Sequence, residues 1–209
     1  MLLSDPTPLI TVPVIPVVTI ERAADAVPLA RALLAGGLNV VEITLRTPAA
    51  LDAARAIIAE VPDIIVGIGT VIRLLDVTHA VDAGADFLVS PGTPAVLAQA
   101  LADAPVPALP GCATVSEAMT LAAFGFPVLK LFPAEASGGV RWLNAVTEPL
   151  PEIRFCPTGG VNGDNAASYL RLGNVLAVGG SWVAPAQAIA AGDFAGITAR
   201  ARIAAALRT

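Results

Sequence analysis

Residues 40–69 of the chain read VVEITLRTPAALDAARAIIAEVPDIIVGIG. The first seven, VVEITLR, are rich in β-branched residues and alternate apolar with polar side chains, the pattern of a strand. TPAALDAARAIIAE follows, with Thr47 as the expected N-cap and Pro48 at the first helical position. IIVGIG then returns to the composition of a strand. A strand, a helix and a second strand joined this way form a parallel βαβ unit, because parallel strands need a crossover.

The unit repeats along the chain. Strand-like runs lie at 12–18 (VPVIPVV), 40–46, 64–69, 87–90 (FLVS), 107–110 (PALP), 128–132 (VLKLF), 153–157 (IRFCP) and 175–180 (VLAVGG), with alanine-rich segments between them. Helix starts recur in those segments: TVSEAMTLAAF carries a Thr114/Glu117 capping box, and DNAASYLRL is expected to begin on Asp164. No linker or low-complexity tract divides the chain. Eight near-equal repeats predict an α/β fold, a (β/α)8 TIM barrel, as one compact domain over 1–209 with an irregular N-terminal extension at 1–11. A doubly wound open sheet is the alternative. Proline within VPVIP and PALP predicts that these two strands are short or irregular.

Composition narrows the function. The 209 residues are 56% hydrophobic and 14% charged, with a formal net charge of −5. Such a chain can build a large core and still carry apolar surface for self-association. It has no basic cluster, so nucleic acid is not an expected partner. Two distant cysteines and one histidine offer no metal-ligand spacing. The apolar start MLLSDPTPLITVPVIPVVT is broken by prolines and has no basic residues. It reads as neither signal peptide nor membrane anchor, which leaves the cytoplasm as the expected compartment.

Strand alternation then predicts which side chains meet. In VVEITLR, Val41, Ile43 and Leu45 face the helices, so Glu42, Thr44 and Arg46 point inward. In FPVLKLF, Leu129 and Leu131 face the helices, and Lys130 points inward with Val128 and Phe132. Of the 12 basic residues, Lys130 is the single lysine; all the others are arginines. Arginine stays protonated, whereas a desolvated lysine can become the neutral amine that attacks a carbonyl and forms a Schiff base. Glu42 is the inward carboxylate available to shuttle protons, and Arg46 suits a substrate carboxylate. A structural polar network, with an ion pair between Glu42 and Arg46 along one strand face, is the competing reading.

Two glycine pairs follow, PTGGV after the seventh strand and VGGSW after the eighth. Barrels commonly hold phosphate with the loops after these strands, through exposed backbone N–H groups and helix N-termini. Ser181 adds a hydroxyl. Plain tight turns would use the same glycines.

In order along the chain, EITLRT, GTV, SPG, KLFPAE, FCPTGGV and GGSW together resemble the 2-keto-3-deoxy-6-phosphogluconate (KDPG) aldolases, class I aldolases of bacteria. The resemblance runs from about Pro13 to Asp193. It implies that Lys130 is the Schiff-base lysine and Glu42 the general acid/base. It further implies that Arg46 and Thr70 hold the pyruvate carboxylate, that Pro91 and Phe132 line the substrate pocket, and that Thr158, Gly159, Gly160 and Ser181 belong to the phosphate end. Members are usually homotrimers of (β/α)8 barrels that use no metal or other cofactor. They split the phosphorylated keto-deoxy sugar acid of the Entner–Doudoroff pathway into pyruvate and glyceraldehyde 3-phosphate, and often act on 4-hydroxy-2-oxoglutarate. The expected partners are therefore small keto acids and aldehyde phosphates, with no membrane and no nucleic acid. The chain departs from the family at Arg73, where many members carry an uncharged polar residue near the mouth, and at PGCAT, which replaces a stretch resembling PGIST.

Other residues read as structure. Cys112 and Cys156 are buried small hydrophobes, with Cys156 turned toward the helices; His79 lies in a helix as a surface or packing residue; Trp142 packs, and Trp182 buttresses the loop beside Ser181. Two competing functions remain: an aldolase for the galactonate epimer or for unphosphorylated hydroxy-keto acids, and a non-catalytic sugar-phosphate-binding barrel.

Overall fold

The computed structural model of the chain describes residues 5–208. In chain order the elements are β1 (Val14–Val18), α1 (Ala26–Ala35), β2 (Val40–Thr44), α2 (Ala50–Glu60), β3 (Ile65–Gly69), α3 (Leu74–Asp82), β4 (Phe87–Val89), α4 (Ala95–Ala102), β5 (Ala108–Leu109), β6 (Gly111–Cys112), α5 (Val115–Ala123), β7 (Val128–Leu131), α6 (Gly139–Val146), β8 (Arg154–Phe155), α7 (Ala166–Leu170), β9 (Val178–Gly180), α8 (Ala186–Ala190) and α9 (Phe194–Ala205). The expected alternation of strands and helices holds except where β6 follows β5 directly and α9 follows α8. Of the expected extension over 1–11, residues 1–4 lie outside the described residues. The remainder begins with a turn in which Leu9 and Ile10 N–H donate to the Pro6 carbonyl.

Every registered strand pair is parallel. The pairs make a six-stranded sheet, β5-β4-β3-β2-β1-β9, and a three-stranded sheet, β6-β7-β8, where the sequence predicts one closed ring. The division falls at Pro110. Ala108 and Leu109 pair with β4, whereas Gly111 and Cys112 pair with β7. Pro110 has no N–H to donate, and its carbonyl accepts from Lys130 N–H at 2.9 Å. PALP is thus short, as its prolines predict. VPVIP is not: β1 is a regular five-residue strand. Pro16 is its last residue registered against β9, after which Val17 and Val18 register against β2, so the missing donor falls where the first pairing ends.

Strands β1, β2, β4 and β7 are buried at every position, as parallel strands covered by helices should be. Each buried Val, Leu or Ile contributes about 1.5–3 kcal/mol, whereas an unpaired buried charge costs several. The buried polar or charged residues Glu42, Thr44, Asp76, Ser90, Lys130, Thr158 and Asn174 therefore each need partners.

Helix starts follow local chemistry with two shifts. The Thr114/Glu117 capping box forms as expected: Glu117 Oε2 accepts from Thr114 N–H at 2.9 Å, and Thr114 Oγ1 accepts from Glu117 N–H at 3.3 Å. Helix α2 instead starts after Ala49, because the Thr47 hydroxyl donates to the Ile20 carbonyl and is occupied in tying this loop to the end of β1. Helix α7 starts after Asn165 rather than Asp164, where Asn162 Oδ1 accepts from both Asp164 and Asn165 N–H.

Candidate active site

Alternation on β2 and β7 brings two distant side chains together. Lys130 Nζ donates to Glu42 Oε1 at 3.0 Å and to Oε2 at 3.2 Å, and each side chain is only 5% exposed. The ion pair with Arg46 that sequence allowed for Glu42 does not form. Lys130 Nζ also stands 5.5 Å from the Phe132 ring centroid, a cation–π distance.

Glycines make room for this arrangement. A Cβ on Gly69 would stand 2.1 Å from Glu42 Oε1, so only glycine at the end of β3 lets the carboxylate lie there. Register places Glu42 opposite Gly67 and Gly67 opposite Phe87, whose ring crosses the space a Cβ on Gly67 would fill. The buried hydroxyl of Thr44 donates to the Val18 carbonyl at 3.0 Å and lies 3.0 Å from Thr19 Oγ1.

Arg46 lies just beyond the end of β2. Its Nε donates to Thr70 Oγ1 at 3.2 Å, which joins the two residues expected to hold a carboxylate. Among the described residues Arg46 forms no ion pair, which leaves the guanidinium available to an anionic substrate. Thr70 has φ 61°, in the left-handed region that a threonine occupies only when its surroundings hold it, at about 1–3 kcal/mol. Arg73, by contrast, is engaged: its guanidinium donates to Asp76 Oδ1 at 2.8 Å, and it is not part of the cleft wall.

A cleft of about 380 Å3, within the usual size of small-molecule sites, has in its wall Phe132, the ring that stands near Lys130 Nζ, whereas Lys130, Glu42 and Thr70 are not in that wall. Arg46, Phe132, Thr158, Gly159, Gly160 and Ser181 line it, all six on sequence-predicted positions. Pro91 stands on the loop after β4, against Gly111, and outside this wall; a Cβ on Gly111 would meet its backbone at 2.3 Å. Sequence reasoning missed Val17, Thr19, Val161 and the Ala184–Pro185 turn. The first two were readable from the alternation in β1, which continues past Val17 to Thr19.

Gly159 and Gly160 adopt φ of 95° and 81°, which explains the first glycine pair. Gly179 and Gly180 answer a different need: Cβ atoms there would stand 2.3 Å from Thr158 Oγ1 and 1.7 Å from the Trp182 ring. Trp182 thus covers Gly180, and Thr158 covers Gly179. Trp142 packs edge-on against Phe155 at 5.4 Å, and His79 is an exposed residue of α3.

Cys156 departs from expectation. The register Leu129 to Phe155 continues to place Cys156 beside Lys130, on the face that Lys130 shares rather than toward the helices. Burial pushes its thiol up to about 12, with the Lys130 charge opposing and the Glu42 charge reinforcing the rise. Among the described residues no group of three or more His, Cys, Asp or Glu is placed to hold a metal ion, and no helix is long and apolar enough to cross a membrane.

Comparison with known proteins agrees with this arrangement. The family model described as aldolase, KDPG and KHG aldolase, matches residues 7–200. The chain is 48% identical over 194 residues to the KHG/KDPG aldolase of Escherichia coli K12, covering 93% of this chain and 91% of that protein. It is 49% identical over 190 residues to the 2-dehydro-3-deoxy-phosphogluconate aldolase of Dickeya dadantii, covering 91% and 89%. Among solved structures, the KDPG aldolase of Legionella pneumophila, with pyruvate captured at low pH as a covalent carbinolamine intermediate, superimposes with a TM-score of 0.92 at 43% identity, over 94% of this chain and 96% of the other. With a buried lysine–carboxylate pair, a cleft lined by Arg46 and Ser181, and relatives of this identity along nearly its whole length, the chain belongs to the KDPG and KHG aldolase family.

Proposed function

We propose that the protein is a class I aldolase that cleaves 2-dehydro-3-deoxy-6-phosphogluconate to pyruvate and glyceraldehyde 3-phosphate through a Schiff base on Lys130. The observation that carries this reading is the buried contact of Lys130 Nζ with both oxygens of Glu42. Proton transfer from Nζ to Glu42 leaves the neutral amine that nucleophilic attack requires.

The amine adds to C2 of the keto acid, and the carbinolamine loses water to give the iminium as Glu42 passes the proton it took from Nζ to the departing hydroxyl. Glu42 takes the proton of the C4 hydroxyl. The C3–C4 electron pair moves into a C2–C3 double bond as the iminium nitrogen is neutralised, and glyceraldehyde 3-phosphate leaves as the aldehyde. Glu42 returns that proton to C3, and water hydrolyses the pyruvate iminium to free the lysine. Arg46 and Thr70 hold the C1 carboxylate, Pro91 and Phe132 bound the carbon chain, and Thr158, Gly159, Gly160 and Ser181 receive the phosphate. No metal is needed, because the iminium is the electron sink.

The same site serves 4-hydroxy-2-oxoglutarate, as the double name of the Escherichia coli relative suggests for that protein. The galactonate epimer differs only at C4, and kcat/KM measured on both epimers separates the two readings. A preference for the gluconate compound is expected, and a preference for the galactonate compound contradicts it. A non-catalytic sugar-phosphate binder would have no use for a buried amine joined to a carboxylate.

The two parallel sheets are parts of one (β/α)8 barrel in a single domain. Only Pro110 separates β5 from β6, and the parallel bridges Phe155 to Val175 and Thr158 to Gly179 link the segments of β8 and β9, which supports closure. Exposed Ile72, Leu74, Leu75, Val96 and Met119, on and around α3, α4 and α5, support a homotrimer, whose mass sedimentation would measure. Phosphorylated metabolites as substrate and product support a cytoplasmic location.

A further inference from the structure

The turn at Gly159 and Gly160 is held by its carbonyl groups. Ala134 N–H donates to the Thr158 carbonyl at 2.8 Å, Glu135 N–H to the Gly159 carbonyl at 3.1 Å, and Asn165 Nδ2 to the Gly160 carbonyl at 3.1 Å. In a trans peptide the C=O of one residue and the N–H of the next point in opposite directions. Three carbonyls drawn back by the β7–α6 loop and by Asn165 turn the N–H groups of Gly159, Gly160 and Val161 the other way. All three residues line the cleft, and none of the three N–H groups donates to an acceptor among the described residues. The result is a concave set of main-chain donors of the kind that binds anions.

Two of the anchors are main chain and insensitive to sequence. The third is a side chain. Asn165 Oδ1 accepts from Asn162 N–H at 2.8 Å while its Nδ2 reaches Gly160, and a flipped amide would set donor against donor and acceptor against acceptor. Behind the turn, the Glu135 side chain fills the space that a Cβ on Gly160 would need, and its carboxylate accepts from the Tyr169 hydroxyl.

We infer that Asn165 is a positioning residue for phosphate: by holding the Gly160 carbonyl back, it aims the Val161 N–H at the substrate's phosphate group. The identity of the ligand rests on the aldolase reading above. Asn165 touches neither Lys130 nor Glu42, so its removal should act on phosphate binding and not on the chemistry of the Schiff base.

The test compares wild type with Asn165→Ala on three readouts: KM and kcat for the phosphorylated substrate, exchange of the pyruvate methyl hydrogens in deuterated water, and titration with inorganic phosphate. The expected result is a rise of about tenfold in KM and a similar loss of phosphate affinity, the size of one charge-assisted hydrogen bond, with pyruvate exchange within about twofold of wild type. Unchanged KM and phosphate affinity would overturn the inference, as would a parallel fall in pyruvate exchange, which indicates general damage. Should Asn165→Ala not fold, Asn165→Asp keeps an acceptor for Asn162 N–H and sets an oxygen against the Gly160 carbonyl; the same pattern with a larger loss is expected, and wild-type phosphate affinity in this variant overturns the inference. If the wild-type protein neither cleaves the substrate nor exchanges pyruvate, the aldolase reading fails. Phosphate titration then still decides the role of Asn165, with equal affinities, or none in wild type, counting against it.

Discussion

Lys130 and Glu42 lie 88 residues apart in the chain and are joined side chain to side chain, with Nζ 3.0 Å from Oε1 and 3.2 Å from Oε2. The pair sits where burial makes either charge costly alone. It also explains the use of lysine in a chain whose other basic residues are arginines. An arginine could satisfy Glu42, but it could not pass a proton to it and become a nucleophile.

Lys130→Arg should retain the fold and lose turnover by about 10^4 or more, since charge is kept and the amine is not. Glu42→Gln should lower kcat by about 10^2- to 10^4-fold and, by leaving the lysine without its counter-charge, destabilise the fold by about 3–5 kcal/mol. Steady-state kinetics and urea denaturation measure the two effects. Measurable wild-type-like activity in Lys130→Arg would remove the role assigned to the amine.

Gly69→Ala places a methyl group 2.1 Å from the present position of Glu42 Oε1. The carboxylate must move, while the backbone of Gly69 lies outside the left-handed region. The variant should fold and lose about 10^2-fold in kcat, the penalty for misplacing a catalytic group by about 1 Å. An active Gly69→Ala protein would mean that Glu42 works from another position.

Both thiols should be inert in the native state. Burial pushes Cys112 and Cys156 up to about 12, and so neither is a thiolate near neutrality. A thiol-reactive disulfide reagent at about pH 8 should label neither cysteine until the protein is unfolded, when both react. Rapid labelling of native Cys156 would contradict the packing of β8 against β7.

Asp76 offers a pH-dependent test at α3. Burial alone would raise its carboxyl, but the Arg73 guanidinium and the N–H groups of Ile72 and Arg73 outweigh that and hold it below the ordinary value of 3.8. A depressed folded value contributes stability above the unfolded value, and that contribution is lost as pH falls through the folded one. Asp76→Asn should therefore melt below wild type at neutral pH, with the gap narrowing as pH falls below about 4. Thermal midpoints across that range check it, and a gap independent of pH would contradict the assigned cause.

Much of this architecture was legible in the sequence because strand alternation has a period of two and carries its meaning locally. It aimed Glu42 and Lys130 inward without knowledge of their partners. What was not legible depends on contacts between distant segments. The division of the fifth strand at Pro110 depends on β4 and β7 pulling its two halves in different directions. The orientation of Cys156 follows from register with β7, and the displaced start of α2 from a bond between Thr47 and Ile20. The glycine pair at Gly159 and Gly160 was visible, but the carbonyl anchors that turn its N–H groups into the cleft come from Ala134, Glu135 and Asn165.

The most direct test of the central claim is reduction with borohydride in the presence of pyruvate, followed by peptide mass spectrometry. A stable reduced pyruvate adduct is expected on Lys130, dependent on pyruvate and greatly diminished in Glu42→Gln. Absence of any adduct, or an adduct at the chain's N-terminal amine alone, would contradict a Schiff-base mechanism at Lys130.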